Sequence, residues 1–167
     1  MKTANPCILT INGGSSSIKF ALYQTGDPLK RGLDGKVDRI GLPGTILSFH
    51  DPVQSLPESR SIKASDHRSA AAFLIDWLEE KIGFASVTAV GHRVVHGMNY
   101  TEPQRVTQEL MDELRRITPY DPDHLPAEIE LIEAFRQRHP KLSQVACFDT
   151  AFHRTMPRVA KDRKSVV

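Results

Sequence analysis

Apolar and polar positions alternate two apart at the start of this chain and three to four apart in its middle. Cys7 to Ile11 is a short apolar run ended by Asn12-Gly13-Gly14, and Ile18, Phe20 and Leu22 then alternate with Lys19, Ala21 and Tyr23. That pattern predicts two strands joined by a tight turn. A third strand is expected within Arg31 to Ile40, where Leu33, Val37 and Ile40 are apolar and Asp34-Gly35 weakens the pattern. Ile46 to Phe49 and Ser59 to Ala64 have the character of further strands, separated by the Pro-bearing loop Asp51 to Pro57.

The period then changes. Ser65 or Asp66 can cap a helix whose apolar positions Ala70, Phe73, Leu74, Trp77, Leu78 and Ile82 form one stripe, stopped near Gly83. Val87 to Val90 reads as a strand ending at Gly91-His92-Arg93. Thr107 can cap a second helix with Leu110, Met111 and Leu114 facing inward. After the Pro/Asp-rich connection Thr118 to Asp123, Pro126 fits the first turn of a third helix carrying Ile129, Ile132 and Phe135. Leu142 to Phe148 resumes strand character and ends at Asp149. Apolar strands need a cover that the helical stripes supply, so the order predicts an α/β chain with a mixed sheet under helices. The strand ends at Asn12, His92/Arg93 and Asp149 are expected to converge on one rim, where ligand chemistry commonly gathers.

Composition narrows the function classes. The 167 residues suffice for one domain with a sizeable core but are short for a two-domain enzyme that closes over a nucleotide. With 22 basic and 20 acidic residues there is no broad basic field, so a nucleic-acid partner is not implied, whereas a local anion site is compatible. No stretch approaches the ~20 apolar residues of a membrane span, and the start lacks a signal-peptide pattern, so no membrane partner and a cytoplasmic location are expected. Cys7 and Cys147 are far apart in sequence. Cys147, inside an apolar run, is expected to be reduced and buried.

Three segments carry candidate chemistry. Asn12-Gly13-Gly14-Ser15-Ser16-Ser17 offers backbone amides that no large side chain blocks, several hydroxyls, and Lys19 on the following strand. Glycines let a backbone approach an anion and an ammonium supplies charge, although a polar hairpin turn would use the same residues. The spacing is not that of a P-loop. In His92-Arg93-Val94-Val95-His96-Gly97, the Arg93 fork near a strand end suits a carboxylate or phosphoryl group. Two histidines four apart without a helix or a third ligand favour structural roles over a transition-metal site. Asp149, emerging from an apolar strand, can hold Mg²⁺ or assist a transferring group, or serve as a satisfied structural carboxylate.

Taken together and in this order, INGGSSSIKF, GHRVVHG and CFDTAFHRTMP resemble the N-terminal half of an acetate kinase or a related short-chain carboxylate kinase. The resemblance implies reversible phosphoryl transfer between ATP and acetate, giving acetyl phosphate and ADP with Mg²⁺. It also implies a ribonuclease-H-like mixed sheet with flanking helices, of the actin-like ATPase and sugar-kinase superfamily. Asn12, Ser15, Ser17 and Lys19 would form the cofactor-binding phosphate and magnesium end, with Asn12 a magnesium ligand. Arg93 would bind the carboxylate or acyl phosphate as a catalytic and substrate residue, and Val95 would wall the small methyl pocket. Asp149 would be the essential aspartate, positioning magnesium. His153 belongs to the same signature and is expected to be structural.

Departures from the family pattern qualify these expectations. Where the family commonly has a leucine-histidine pair after an alanine-proline, this chain has Thr118-Pro119-Tyr120-Asp121. Tyr120 would then form the acyl-pocket wall, and Asp121 would bring negative charge toward anions, a cost unless it is moved or paired. Acetate, propionate and other small acids stay open, as does a non-catalytic small-anion-binding domain. The expected organisation is an N-terminal ribonuclease-H-like kinase domain at residues 1–161 and a short tail at 162–167. The second domain, which in the family binds ATP and makes the homodimer, has no counterpart here, so negligible turnover is expected of the chain alone. Whether it is monomeric or associates through exposed apolar surface is left open.

Overall fold

A computed structural model describes residues 5–54 and 56–152. The chain forms β1 (Cys7–Gly13), β2 (Ser17–Gln24), β3 (Lys30–Asp38), β4 (Ile46–His50) and β5 (Glu58–Ser61), and then α1 (His67–Ile82) and β6 (Val87–Val94). There follow β7 (Gln104–Arg105), α2 (Gln108–Ile117), a 3-10 turn (Thr118–Tyr120), α3 (Leu125–Arg138), β8 (Ser143–Phe148) and the short α4 (Asp149–Phe152). All eight strands belong to one sheet in the order β5-β4-β3-β2-β1-β6-β8-β7. β1 to β5 form an antiparallel meander, and β1, β6 and β8 run parallel. Parallel neighbours require crossovers, which α1 and the α2/α3 pair provide. The expected mixed sheet with helices is therefore the observed architecture; β7 and α4 are additions that the apolar pattern did not announce.

The helix boundaries follow local chemistry. Asp66 accepts from the Ser69 amide at 2.8 Å and Ser69 reaches back to the Asp66 amide at 3.2 Å, so two amides left over at the α1 start are satisfied. Gly83 ends that helix with φ 59°, a left-handed conformation that costs glycine little. Thr107 caps α2 through the Leu110 amide, and Pro126 lies in the first turn of α3.

Strand register sorts the residues onto two faces. Phe49, Gly35, Phe20, Ile11, His92 and Ala146 form one cross-strand row, facing the helices. Leu74, Trp77 and Leu78 of α1 and Leu131 and Phe135 of α3 bury that face, and Trp77 contacts both Phe20 and Phe49. A second core lies at the β6 and β8 ends, where Val94, Ala146 and Phe148 meet Met111, Leu114 and Ile132. His92 is part of the packing: its Nε2 bonds Gln144 at 2.8 Å, its ring meets Phe135 edge-on, and burial pushes its pKa down to about 4. It is neutral at neutral pH, as suits a core histidine.

The opposite face carries Ser48, Lys36, Lys19, Asn12, Arg93 and Cys147 in an adjacent row. No described helix covers it. This corrects the expectation for Cys147, which is free and exposed, whereas Cys7 is buried. The reason is the period of two: Gln144, Ala146 and Phe148 point into the core, so Cys147 must point away.

Gly35 is the tightest point of the helix-facing row. A Cβ there would lie 2.3 Å from the Ser48 carbonyl oxygen and 2.8 Å from the Phe20 ring. Gly35→Ala is expected to destabilise the chain by about 1–3 kcal/mol, the usual penalty for overpacking. Thermal unfolding checks this, with a fall of roughly 2–10 °C expected for a domain of this size.

Candidate functional site

The β1–β2 hairpin and the ends of β6 and β8 build one rim. In β1, Asn12 pairs with Lys19 on one side and with Arg93 on the other, which aligns the three side chains on the uncovered face. Beyond Phe148 the chain turns into α4, and its first residue, Asp149, meets Arg93. Arg93 Nε donates to both Asp149 oxygens, at 2.9 and 3.0 Å, and Nη2 donates to Asp149 Oδ2. Arg93 Nη1 donates to Asn12 Oδ1 at 3.1 Å. The three predicted strand ends are thus joined through one guanidinium, which the Asp149 carboxylate holds firmly in its charged form. Side-chain exposures of 39% and 30% leave both members of the pair open to solvent.

Above this clasp sits the Gly/Ser turn. The Gly14 amide donates to the Ser17 carbonyl at 2.7 Å, closing the hairpin, and the Ile40 amide donates to the Ser16 carbonyl at 2.9 Å. Ser15 is exposed, and Ser17 and Asn12 are half-buried. Lys19 is exposed and has no ion-pair partner among the described residues. A cleft of about 630 Å³ runs along this face, lined by Asn12, Lys19, Lys36, Arg93 and Cys147. A lysine and an arginine fork in the cleft, with the hydroxyl-bearing turn next to Asn12 in the chain, can neutralise and orient a small anion.

The sequence model of the acetokinase family matches residues 7–163. The chain belongs to the acetokinase family. It is 42% identical over 153 residues to the acetate kinase of Deinococcus radiodurans, an alignment that covers 91% of this chain and 38% of that protein. Among solved structures it resembles a propionate kinase from Francisella tularensis and the acetate kinase of Porphyromonas gingivalis. Each gives a TM-score of 0.79 at 31% identity, covering 91% of this chain and 39% of the other. The shared fold is the mixed sheet with flanking helices of the actin-like ATPases. The chain spans about two fifths of the length of the relatives it matches, on these coverages of 38% and 39%.

Not every residue singled out in the sequence joins this cluster. Val95 is half-buried just past β6, and its amide donates toward the α3 carboxylate Glu128. Tyr120 lies apart, 67% exposed on the 3-10 turn. His153 lies outside the described residues. Asp121 is paired: its Oδ1 is 2.8 Å from His124 Nδ1, and this contact raises the histidine's pKa. Asp121 is thus hydrogen-bonded locally, within its own loop.

Two supporting residues went unnoticed in the sequence. Glu128 is one, a carboxylate in the apolar surroundings of α3. The other is His67, whose Nε2 lies 2.8 Å from the Gly14 carbonyl oxygen. A carbonyl only accepts, so Nε2 carries the proton, and the first residue of α1 braces the Gly/Ser turn across 53 positions of sequence. Nothing near His67 marks such a role; only the fold brings it to Gly14.

His67→Ala is expected to loosen that turn without unfolding the sheet. Amide hydrogen exchange at Ser15, Ser16 and Ser17 should speed up by about tenfold, the equivalent of one lost hydrogen bond. Protection in β6 and β8 should stay unchanged.

Proposed function

We propose that the chain is the N-terminal part of an acetate kinase and presents the side of the site that holds acetate or acetyl phosphate. The observation that carries this reading is the Arg93 clasp with Asn12 and Asp149, set beside the Gly/Ser turn in a member of the acetokinase family. Residues 1–161 act as one ribonuclease-H-like domain with 162–167 as a tail. A second domain of the kind present in full-length relatives supplies most of the ATP site and the dimer contact.

The roles follow from charge and reach. Arg93 binds the carboxylate or acyl phosphate, for which its planar fork keeps two N–H groups beyond the three given to Asp149 and Asn12 among the described residues. Lys19 and the amides and hydroxyls of Ser15 and Ser17 face the transferring phosphoryl group. Val95, and Tyr120 after a movement of its loop, bound the acyl chain. Direct transfer needs neutralised, aligned oxygens more than a covalent nucleophile, and no residue at the rim is asked to form one. Asn12 Oδ1 and the Asp149 carboxylate are hard oxygen donors that accept from Arg93, and through the lone pairs this leaves they would hold Mg²⁺ together with phosphate and water. Magnesium held there would neutralise charge on the phosphate oxygens.

Calorimetry on the 167-residue chain tests the reading. Acetyl phosphate is expected to bind, and Arg93→Ala to weaken binding by about 10- to 100-fold, as for a lost charge-assisted pair. Absence of binding to the intact chain would refute the assignment, and tighter binding of propionyl phosphate would move it to the propionate kinases. ATP formation from acetyl phosphate, ADP and Mg²⁺ is expected to be negligible; robust turnover would remove the need for a second domain.

A further inference from the structure

Glu128 is only 2% exposed, although it lies in the first turns of α3 among the buried Leu125, Ile129, Leu131 and Ile132. Its two carboxylate oxygens are each 3.2 Å from the Val95 amide nitrogen, the single hydrogen-bond donor it has among the described residues. Its Cγ would lie 3.9 Å from a Cβ on Gly13, so the same side chain backs the last residue of β1. One side chain therefore holds the residue just past β6 and lies near the end of β1, the strands that present Arg93 and Asn12. A buried carboxylate served by one amide is costly, and a leucine or glutamine would fill this space more cheaply. Its hold on the residue two positions past Arg93 gives the carboxylate a use that packing does not.

We propose that Glu128 is a positioning residue of the anion site, holding the Val95 amide and biasing the Arg93 guanidinium from behind so that β6 leaves the sheet aimed at the ligand. This inference rests on the anion-binding reading given above. Glu128 acts through Arg93 and Val95 and does not touch the ligand itself.

The electrostatic surroundings make the role measurable. Burial pushes the Glu128 pKa up to about 7; Asp121 adds to the rise, while the Val95 amide, Arg93 and His124 oppose it. Gly13 brings no charge from β1, and Asp149 lies across Arg93. Glu128 is therefore neutral below about pH 7 and becomes ionised above it. An anion on Arg93 meets an added negative neighbour once Glu128 ionises, so affinity falls as pH rises through that range. Like-charge repulsion at an intermediate dielectric gives an effect on the order of fivefold.

Amide NMR of the 167-residue chain between pH 5.5 and 8.5 tests the proposal, with sulfate as an anion that does not itself titrate there. The Val95 amide is expected to shift with a midpoint near the Glu128 value in the wild type and in His124→Gln, and to stay still in Glu128→Gln. Sulfate affinity should fall roughly fivefold from pH 6 to pH 8 in the wild type and stay level in Glu128→Gln. A wild-type Val95 amide that does not titrate overturns the proposal without any variant. So does a pH response of sulfate binding that Glu128→Gln leaves intact. Sulfate that fails to perturb the Arg93 side-chain signal at pH 6 overturns the anion site itself, a separate result from either of these.

Discussion

One guanidinium ties together three strand ends that the sheet register brings side by side. Arg93 bonds Asn12 on β1 and Asp149 after β8, and the parallel strands on either side of β6 fix both partners at hydrogen-bonding distance. At its exposure the pair contributes little to stability. Its effect is orientation: a planar fork with three fixed contacts has few alternative rotamers, so its remaining N–H groups point in a defined direction. The sheet register comes first and the clasp follows from it.

Division of the sheet into two faces is what makes this rim available. The helix-facing row uses Phe20, Ile11 and Phe49 to bury Trp77, and Gly35 keeps that row close-packed. One register step away, Lys19, Asn12 and Arg93 share the face that the described helices leave uncovered. Period-two alternation thus separates stability from chemistry along the same strands. His92 and Arg93 are neighbours in sequence, yet the first is a neutral core residue and the second an open cation.

Most of the fold was legible because its signals are local. Alternation in Ile18–Leu22, the stripe from Ala70 to Ile82, and Gly83 as a stop each depend on residues a few positions apart. The convergence of Asn12, Arg93 and Asp149 was also legible, since each sits where an apolar run ends. What was missed depends on tertiary neighbours. Cys147 lies within an apolar run, but burial needs a covering element, and its side of β8 has none among the described residues. The brace from His67 to Gly14 and the placement of Glu128 behind Val95 join residues 53 and 33 positions apart. The sequence marks Asp121 as a negative charge near the site, and its hydrogen-bond partner His124 lies three residues on.

Arg93 lies between two carboxylates whose surroundings differ. Asp149 is partly solvated and donates no steric bulk to the strand, while Glu128 is enclosed and reaches the strand backbone. An arriving anion meets the two N–H groups of the fork that Asp149 and Asn12 leave over among the described residues. It does not compete with Glu128, whose partner is the Val95 amide. In the proposed reading the open carboxylate therefore keeps its hold on Arg93 while a ligand binds, and the enclosed one holds the Val95 amide at the strand end.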